Sequence, residues 1–281
     1  MTARLPWALG YTVSGDDCAT PMPLGYAAPL HEAVRQLAEL GYDGVEVQVR
    51  KVGAQDAEKL AKTVGDAGLR VLGIGTGPVA AHDRLTLADP SPDVRRHALS
   101  RLCGAARLAG ELGVPVTLGQ TRGIFLPGHE AIQSTWVDSA VERLAEEASD
   151  HGSRLLLEPQ SRANTSLWHT PEEALTVIGA LGALGHPAGL VLDTYHLDAE
   201  GVEVIQALTQ HASVTGCLQL AAPVTRGPLS LGDPRLRSVL KALSTGGFTG
   251  WLTLEHSQDG DSARAAARSW TALRDAADVL V

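Results

Sequence analysis

Four short apolar runs in this chain each end on an acid. They read Val45-Glu46, Leu155-Leu156-Leu157-Glu158, Leu190-Val191-Leu192-Asp193 and Leu252-Thr253-Leu254-Glu255. Runs of this kind are consistent with buried strands, and carboxylates are seldom buried unless paired. Gathered at one end of a sheet, such acids would raise each other's pKa unless a cation neutralised them. A divalent ion held by oxygen ligands is the simplest such cation. Any single one of these acids could equally be solvated or paired with an arginine at a strand end. For Glu158, Asp193 and Glu255 taken together, a shared ion accounts for all three.

Eight apolar runs must position these groups: Trp7–Tyr11, Gly44–Val49, Arg70–Gly75, Pro115–Leu118, Arg154–Glu158, Leu190–Asp193, Thr215–Leu220 and Trp251–Glu255. An amphipathic stretch follows each, which is the signature of βαβ units around a parallel sheet. Eight such units predict an α/β fold, a closed (β/α)8 TIM barrel whose C-terminal strand ends carry the chemistry. Thr170-Pro171-Glu172-Glu173 offers a cap, a first-turn proline and a capping-box acid for one helix, and Asp233-Pro234 opens another. Pro92 lies in the first turn of a third helix. One repeating pattern runs from end to end, so residues 1–281 are expected to form one domain.

Composition narrows the function classes. The chain has 23 basic and 32 acidic residues, a formal charge of −9, and 44% hydrophobic residues. No dense Lys/Arg run supplies the basic stripe that a nucleic acid needs, so no nucleic-acid partner is expected. Cys18, Cys103 and Cys217 have neither metal nor redox spacing and fit free thiols in a reducing compartment. Met1–Pro6 lacks the apolar core of a signal peptide, and no stretch approaches a membrane span. A cytoplasmic protein with no membrane partner is the expectation.

The segments "GYDGVEV" (41–47), "LLLEPQSR" (155–162), "GLVLDTYHL" (189–197) and "GWLTLEH" (250–256) resemble the xylose-isomerase-like barrel family. That family includes ketose 3-epimerases, hydroxypyruvate isomerase, inosose dehydratase and, more distantly, endonuclease IV. The resemblance implies a metal site on Glu158, Asp193, Glu255 and a fourth group that is normally histidine. Gln219 stands at that fourth position. A glutamine oxygen suits hard cations better than zinc or cobalt, so Mn or Mg is the expected cofactor ahead of Co or Zn. The resemblance further implies that His196 contacts a substrate oxygen and that Arg226 binds substrate, one residue out of the family register. Arg162 matches a frequent family arginine, and Glu46 matches a family acid that lines the cavity. Asn164 replaces the second glutamate of the ketose 3-epimerases. Arg122, in the Gly/Pro-containing segment "TRGIFLPG" (121–128), could meet a ligand carboxylate or phosphate, or solvent. That segment and "TVSGDDCATPMPLGY" (12–26) have the length and composition of specificity loops.

By resemblance the expected activity is a divalent-metal-dependent isomerase or epimerase of a keto-sugar or related polyol. Glu158 and Glu255 would flank the substrate as acid/base pair and work through an enediolate. Two other readings share these residues. One is a dehydratase or lyase of a keto-polyol or cyclic keto acid. The other is a non-catalytic, partner-dependent sugar-binding barrel. Barrels of this kind often pair as homodimers.

Overall fold

The structure is a computed structural model that describes residues 5–18, 23–53 and 56–280. Its eight strands close in chain order into one barrel, and every neighbouring pair is parallel. The strands are β1 Leu9–Ser14, β2 Gly44–Gln48, β3 Arg70–Gly75, β4 Val116–Leu118, β5 Leu155–Leu157, β6 Ala188–Asp193, β7 Thr215–Leu220 and β8 Trp251–Leu254. Around them run α1 Leu30–Leu40, α2 Asp56–Asp66, α3 Gly77–Ala81, α4 Pro92–Glu111, α5 Glu130–Asp150, α6 Pro171–Ala183, α7 Thr194–Ala199, α8 Val204–His211, α9 Pro234–Thr245 and α10 Ser262–Ala276. No helix among the described residues is long and apolar enough to cross a membrane.

The expected helix starts have visible causes. Thr170 accepts a hydrogen bond from the Glu173 amide ahead of α6, and Asp233 accepts from the Arg235 amide ahead of α9. Both satisfy amide groups that an α-helix leaves without partners in its first turn.

Two residues apart along a strand means the same face, and that period explains how the acids come to line the barrel. Leu156, Val191, Cys217 and Trp251 form one apolar layer inside it, with Ala8 and Leu72 packed against them. Two residues further along three of these strands stand Glu158, Asp193 and Gln219, and four residues along the last stands Glu255. The apolar layer is therefore the floor, and the polar groups are the layer above it. The register slips by one residue beside Glu46 on β2 and beside Val191 on β6. Such bulges re-aim side chains at barrel rims.

The first strand departs from expectation. The sequence places it over Trp7–Tyr11, whereas hydrogen bonding runs from Leu9 to Ser14. Trp7 is not in the strand: its ring packs edge-on against Phe248 and its Nε1 donates to the Phe248 carbonyl at 2.8 Å. The strand continues past Tyr11 through Thr12 and Ser14, into a segment whose length and Gly/Pro content suggest a loop. In the 12–26 segment, residues 19–22 lie outside the described residues.

Candidate active site

The C-terminal mouth of the barrel opens onto about 530 Å³ of space lined by residues from all eight strands or the segments that follow them, among them Thr12, Gln48, Glu158, Gln160, His196, Gln219, Arg226 and Glu255. Glu158 and Glu255 lie one residue beyond the ends of β5 and β8, with their amides still bonded to the Leu118 and Leu220 carbonyls. Asp193 ends β6, pairs in register with Gln219 on β7, and has no exposed side-chain surface. Its Oδ1 accepts from the Tyr195 amide at 2.8 Å, capping α7 and leaving Oδ2 for Arg226.

Arg226 reaches into this cluster from the loop after β7. Its Nη2 lies 2.7 Å from both Asp193 Oδ2 and Glu255 Oε2. The guanidinium carbon sits 4.8 Å from the Tyr195 ring centroid. The backbone at Arg226 is left-handed, φ 49°, a conformation that costs a non-glycine residue roughly 1–2 kcal/mol.

His196 Nε2 stands 3.7 Å from Glu158 Oε1 and 3.8 Å from Asp193 Oδ2. Burial pulls its pKa down to about 4, so the ring is neutral at neutral pH. The Ser161 amide donates to Nδ1 at 3.4 Å. That assignment leaves the proton on Nε2, turned toward the two carboxylates. In this tautomer His196 donates a hydrogen bond rather than a lone pair.

Glu158 is pushed up to about 8, first by burial and then by the charges of Glu255 and Asp193. Its Oε1 is buried without a partner. Gly119, just after β4, makes room for it, since a Cβ there would collide with Glu158 Oε2 and the Gln160 amide. His169 Nδ1 lies 2.9 Å from the Gln160 carbonyl and fixes that strand extension.

A model of the family described as "Xylose isomerase-like TIM barrel" matches residues 34–276. The chain belongs to the xylose isomerase-like TIM barrel family. Among curated proteins, it is 26% identical to one from Streptomyces coelicolor named "Putative hydroxypyruvate isomerase", over 86% of this chain and 90% of that one. It is 23% identical to a ketose 3-epimerase of Arthrobacter globiformis, over 82% of this chain and 78% of that one. Among solved structures it resembles a 3-keto-D-glucoside 4-epimerase from E. coli, with TM-score 0.75, 20% identity, and 95% and 99% of the two chains covered.

In this member of the xylose isomerase-like family, Gln219 on β7 has its amide fixed from across the barrel by Glu46 on β2. Gln219 Nε2 donates to Glu46 Oε1 at 3.2 Å, as does Gln48 Nε2. The Gln219 oxygen is therefore the end left over, and it is buried with no partner. Asn164 also lines the pocket.

The donor set fits a hard divalent ion. Glu46, Glu158 and Asp193 are buried acids, and Glu255 beside them keeps a side chain 13% exposed. Arg226 and Arg122 are the arginines that act on them. Fully ionised, the cluster would keep two uncompensated negative charges, the charge of one such ion. Without it, two acids must hold protons near neutrality, and Glu46 and Glu158 are the two raised to about 8. The unpartnered oxygens of Glu158 and Gln219 are hard ligands.

Two of the sequence-selected arginines do not enter the pocket. Arg162 leaves its side chain 68% exposed, with Nε 3.1 Å from Glu200 Oε2. Arg122 is wholly buried beneath the pocket wall, 5.0 Å from the Trp168 ring centroid, with Nη2 3.4 Å from Thr165 Oγ1. Sequence reasoning passed over Thr12, Gln48 and Gln160. Each sits two residues from an inward-facing position on its strand or strand extension, and that period was the available signal.

Glu46 permits a pH test. Burial above all, then the Glu255 charge, raises it from the ordinary carboxylate range to about 8. The folded chain thus keeps a proton that the unfolded chain releases. This contribution to stability is complete below the unfolded pKa and lost as pH climbs through about 8. Chelator-treated protein should show a falling urea midpoint between pH 5 and 8.5, and Glu46→Gln should lose less over the same range. Identical slopes would remove Glu46 as a proton holder.

Proposed function

We propose that this chain is a divalent-cation-dependent isomerase or epimerase of a keto-sugar or related polyol, with Glu158 and Glu255 as its acid/base pair. The observation that carries the reading is the set of unpartnered, buried oxygens of Thr12, Glu158, Gln160 and Gln219 around one pocket. Buried polar atoms normally have partners. A ligand rich in hydroxyl groups, together with a hard cation, would supply them. Kinship with proteins named as a hydroxypyruvate isomerase and a ketose 3-epimerase supports the same reaction class.

Glu158, Asp193, Gln219 and Glu255 would hold the ion. Bound there, it would supply Lewis-acid polarisation of a substrate carbonyl and its neighbouring hydroxyl. The chain's own groups do the rest. Glu158 carries a pKa that burial has moved toward neutrality, as a general acid or base requires. One of the two glutamates, ionised, takes the proton from the carbon that bears the hydroxyl, and the other, already protonated, delivers its own proton to the enediolate. Delivery to the same carbon from the opposite side is epimerisation; delivery to the former carbonyl carbon, with the hydroxyl proton passing to the other oxygen, is isomerisation. His196, neutral and protonated on Nε2, donates to a substrate oxygen.

A solvent-deuterium screen tests the proposal. Purified protein, supplied with Mn or Mg, is incubated in D2O with keto-sugars and keto-polyols. Deuterium should enter next to the carbonyl without loss of water, and chelation should stop it. No exchange with any member of the panel would leave a sugar-binding barrel, and loss of water would make the protein a lyase.

A further inference from the structure

The position of Arg226 raises a question about cation binding. One nitrogen, Nη2, bridges Asp193 Oδ2 and Glu255 Oε2 at 2.7 Å each. These are the oxygens that two of the three acidic ligands would present to an ion. Asp193 has no other to offer, because Oδ1 is committed to the Tyr195 amide. A divalent ion on the same oxygens would lie within a few ångströms of a guanidinium charge, in a buried site where such repulsion is poorly screened.

We propose that Arg226 and the divalent cation are alternative occupants of the Asp193–Glu255 pair, so that the arginine is a built-in counter-ion which the metal displaces. The inference rests on the cation reading above but goes beyond it. It assigns Arg226 two positions: across the acids when the site lacks metal, and toward the substrate once metal has taken them.

Four features make the exchange a side-chain movement. The Arg226 carbonyl accepts from the Ser257 amide at 2.8 Å, which anchors the backbone. The left-handed φ at Arg226, together with that at neighbouring Val224 (φ 64°), sets the loop so that the side chain turns inward. Arg226 Nε is buried with no partner, so the bridging position does not satisfy all of the guanidinium. A second position that supplied a partner for Nε would offset part of the loss of the bridge. Tyr195 lies against the guanidinium face and can guide the swing.

The test is a metal titration, independent of turnover. Metal-stripped wild-type and Arg226→Met proteins are titrated with MnCl2 by calorimetry. The variant should bind Mn at least about tenfold more tightly, within the usual range for coupled binding events. Its metal-free form should melt lower than wild type, and Mn should raise its melting temperature by the larger amount. Arg226→Gln, nearer in polarity, serves if the methionine variant does not fold. In wild-type protein, Mg should shift the Arg226 Nε–H resonance in an arginine 15N spectrum, assigned by its loss in the variant. Equal or weaker Mn binding by both variants, or an unmoved Arg226 signal at Mg saturation, overturns the exchange and leaves the cation reading standing. No Mn binding by any of the three proteins overturns both.

Discussion

Replacing Glu158 or Glu255 with glutamine should cost at least about a hundredfold in turnover, in line with the usual contribution of a positioned acid or base. The glutamine side chain keeps shape and volume while removing the proton-carrying group. Glu158 is the more telling position. Its Oε1 has no partner in the protein and its pKa is about 8, so a Gln there removes a group held in reserve for a ligand. Glu255 also accepts from Arg226, and its loss would alter cation binding as well as proton transfer. Both variants are therefore compared at saturating Mn, with exchange of the substrate C–H into D2O measured beside turnover. If Glu158 acts only as a ligand, excess metal restores the rate. If it is a proton carrier, excess metal leaves the deficit in place. Near-wild-type exchange in either variant removes that residue from the pair.

Leu156→Ala should lower stability by about 2–5 kcal/mol, the usual cost of truncating a fully buried leucine. Leu156 has no exposed surface and belongs to the layer inside the barrel with Val191, Cys217 and Trp251. Glycines crowd it: a Cβ on Gly189 or on Gly216 would press against its methyl groups. The parallel strands around it are tied on both sides, so little collapse into the cavity is available. Glu158, two residues further along, stands on this floor. The urea midpoint should fall clearly, and Mn affinity should fall with it as Glu158 loses its support. An unchanged midpoint would mean that the barrel interior repacks freely, contrary to the packing described here.

Much of this architecture was legible in the sequence because it is encoded locally. Strands two to eight overlap their expected positions, and the alternation of apolar run and amphipathic helix required a parallel sheet closed by eight units. The misplaced first strand shows where local reading fails. Trp7 looked like a strand residue because it is apolar, yet it packs on Phe248, 241 positions away. In sequence Thr12 belongs with the long Gly/Pro-containing segment that follows it, yet it lies in β1 and faces a pocket. Arg162 shows the same limit at the site. Its neighbours match the family segment, but the chain beyond β5 turns its side chain out to Glu200.

By itself the sequence determined the fold class and the placing of Glu158, Asp193 and Glu255 at strand ends on the inward face, because side-chain alternation and strand length are local properties. By resemblance it also put Gln219 where the family's fourth ligand would stand. Only the tertiary structure decided which groups meet across the barrel. Gln219 has its nitrogen taken by Glu46, 173 residues away, which leaves its oxygen for the pocket. Arg226, whose register was in doubt, bridges two of the acids from a left-handed turn. Closure of the barrel and the backbone of one loop set those contacts, and neither leaves a periodic trace in the chain.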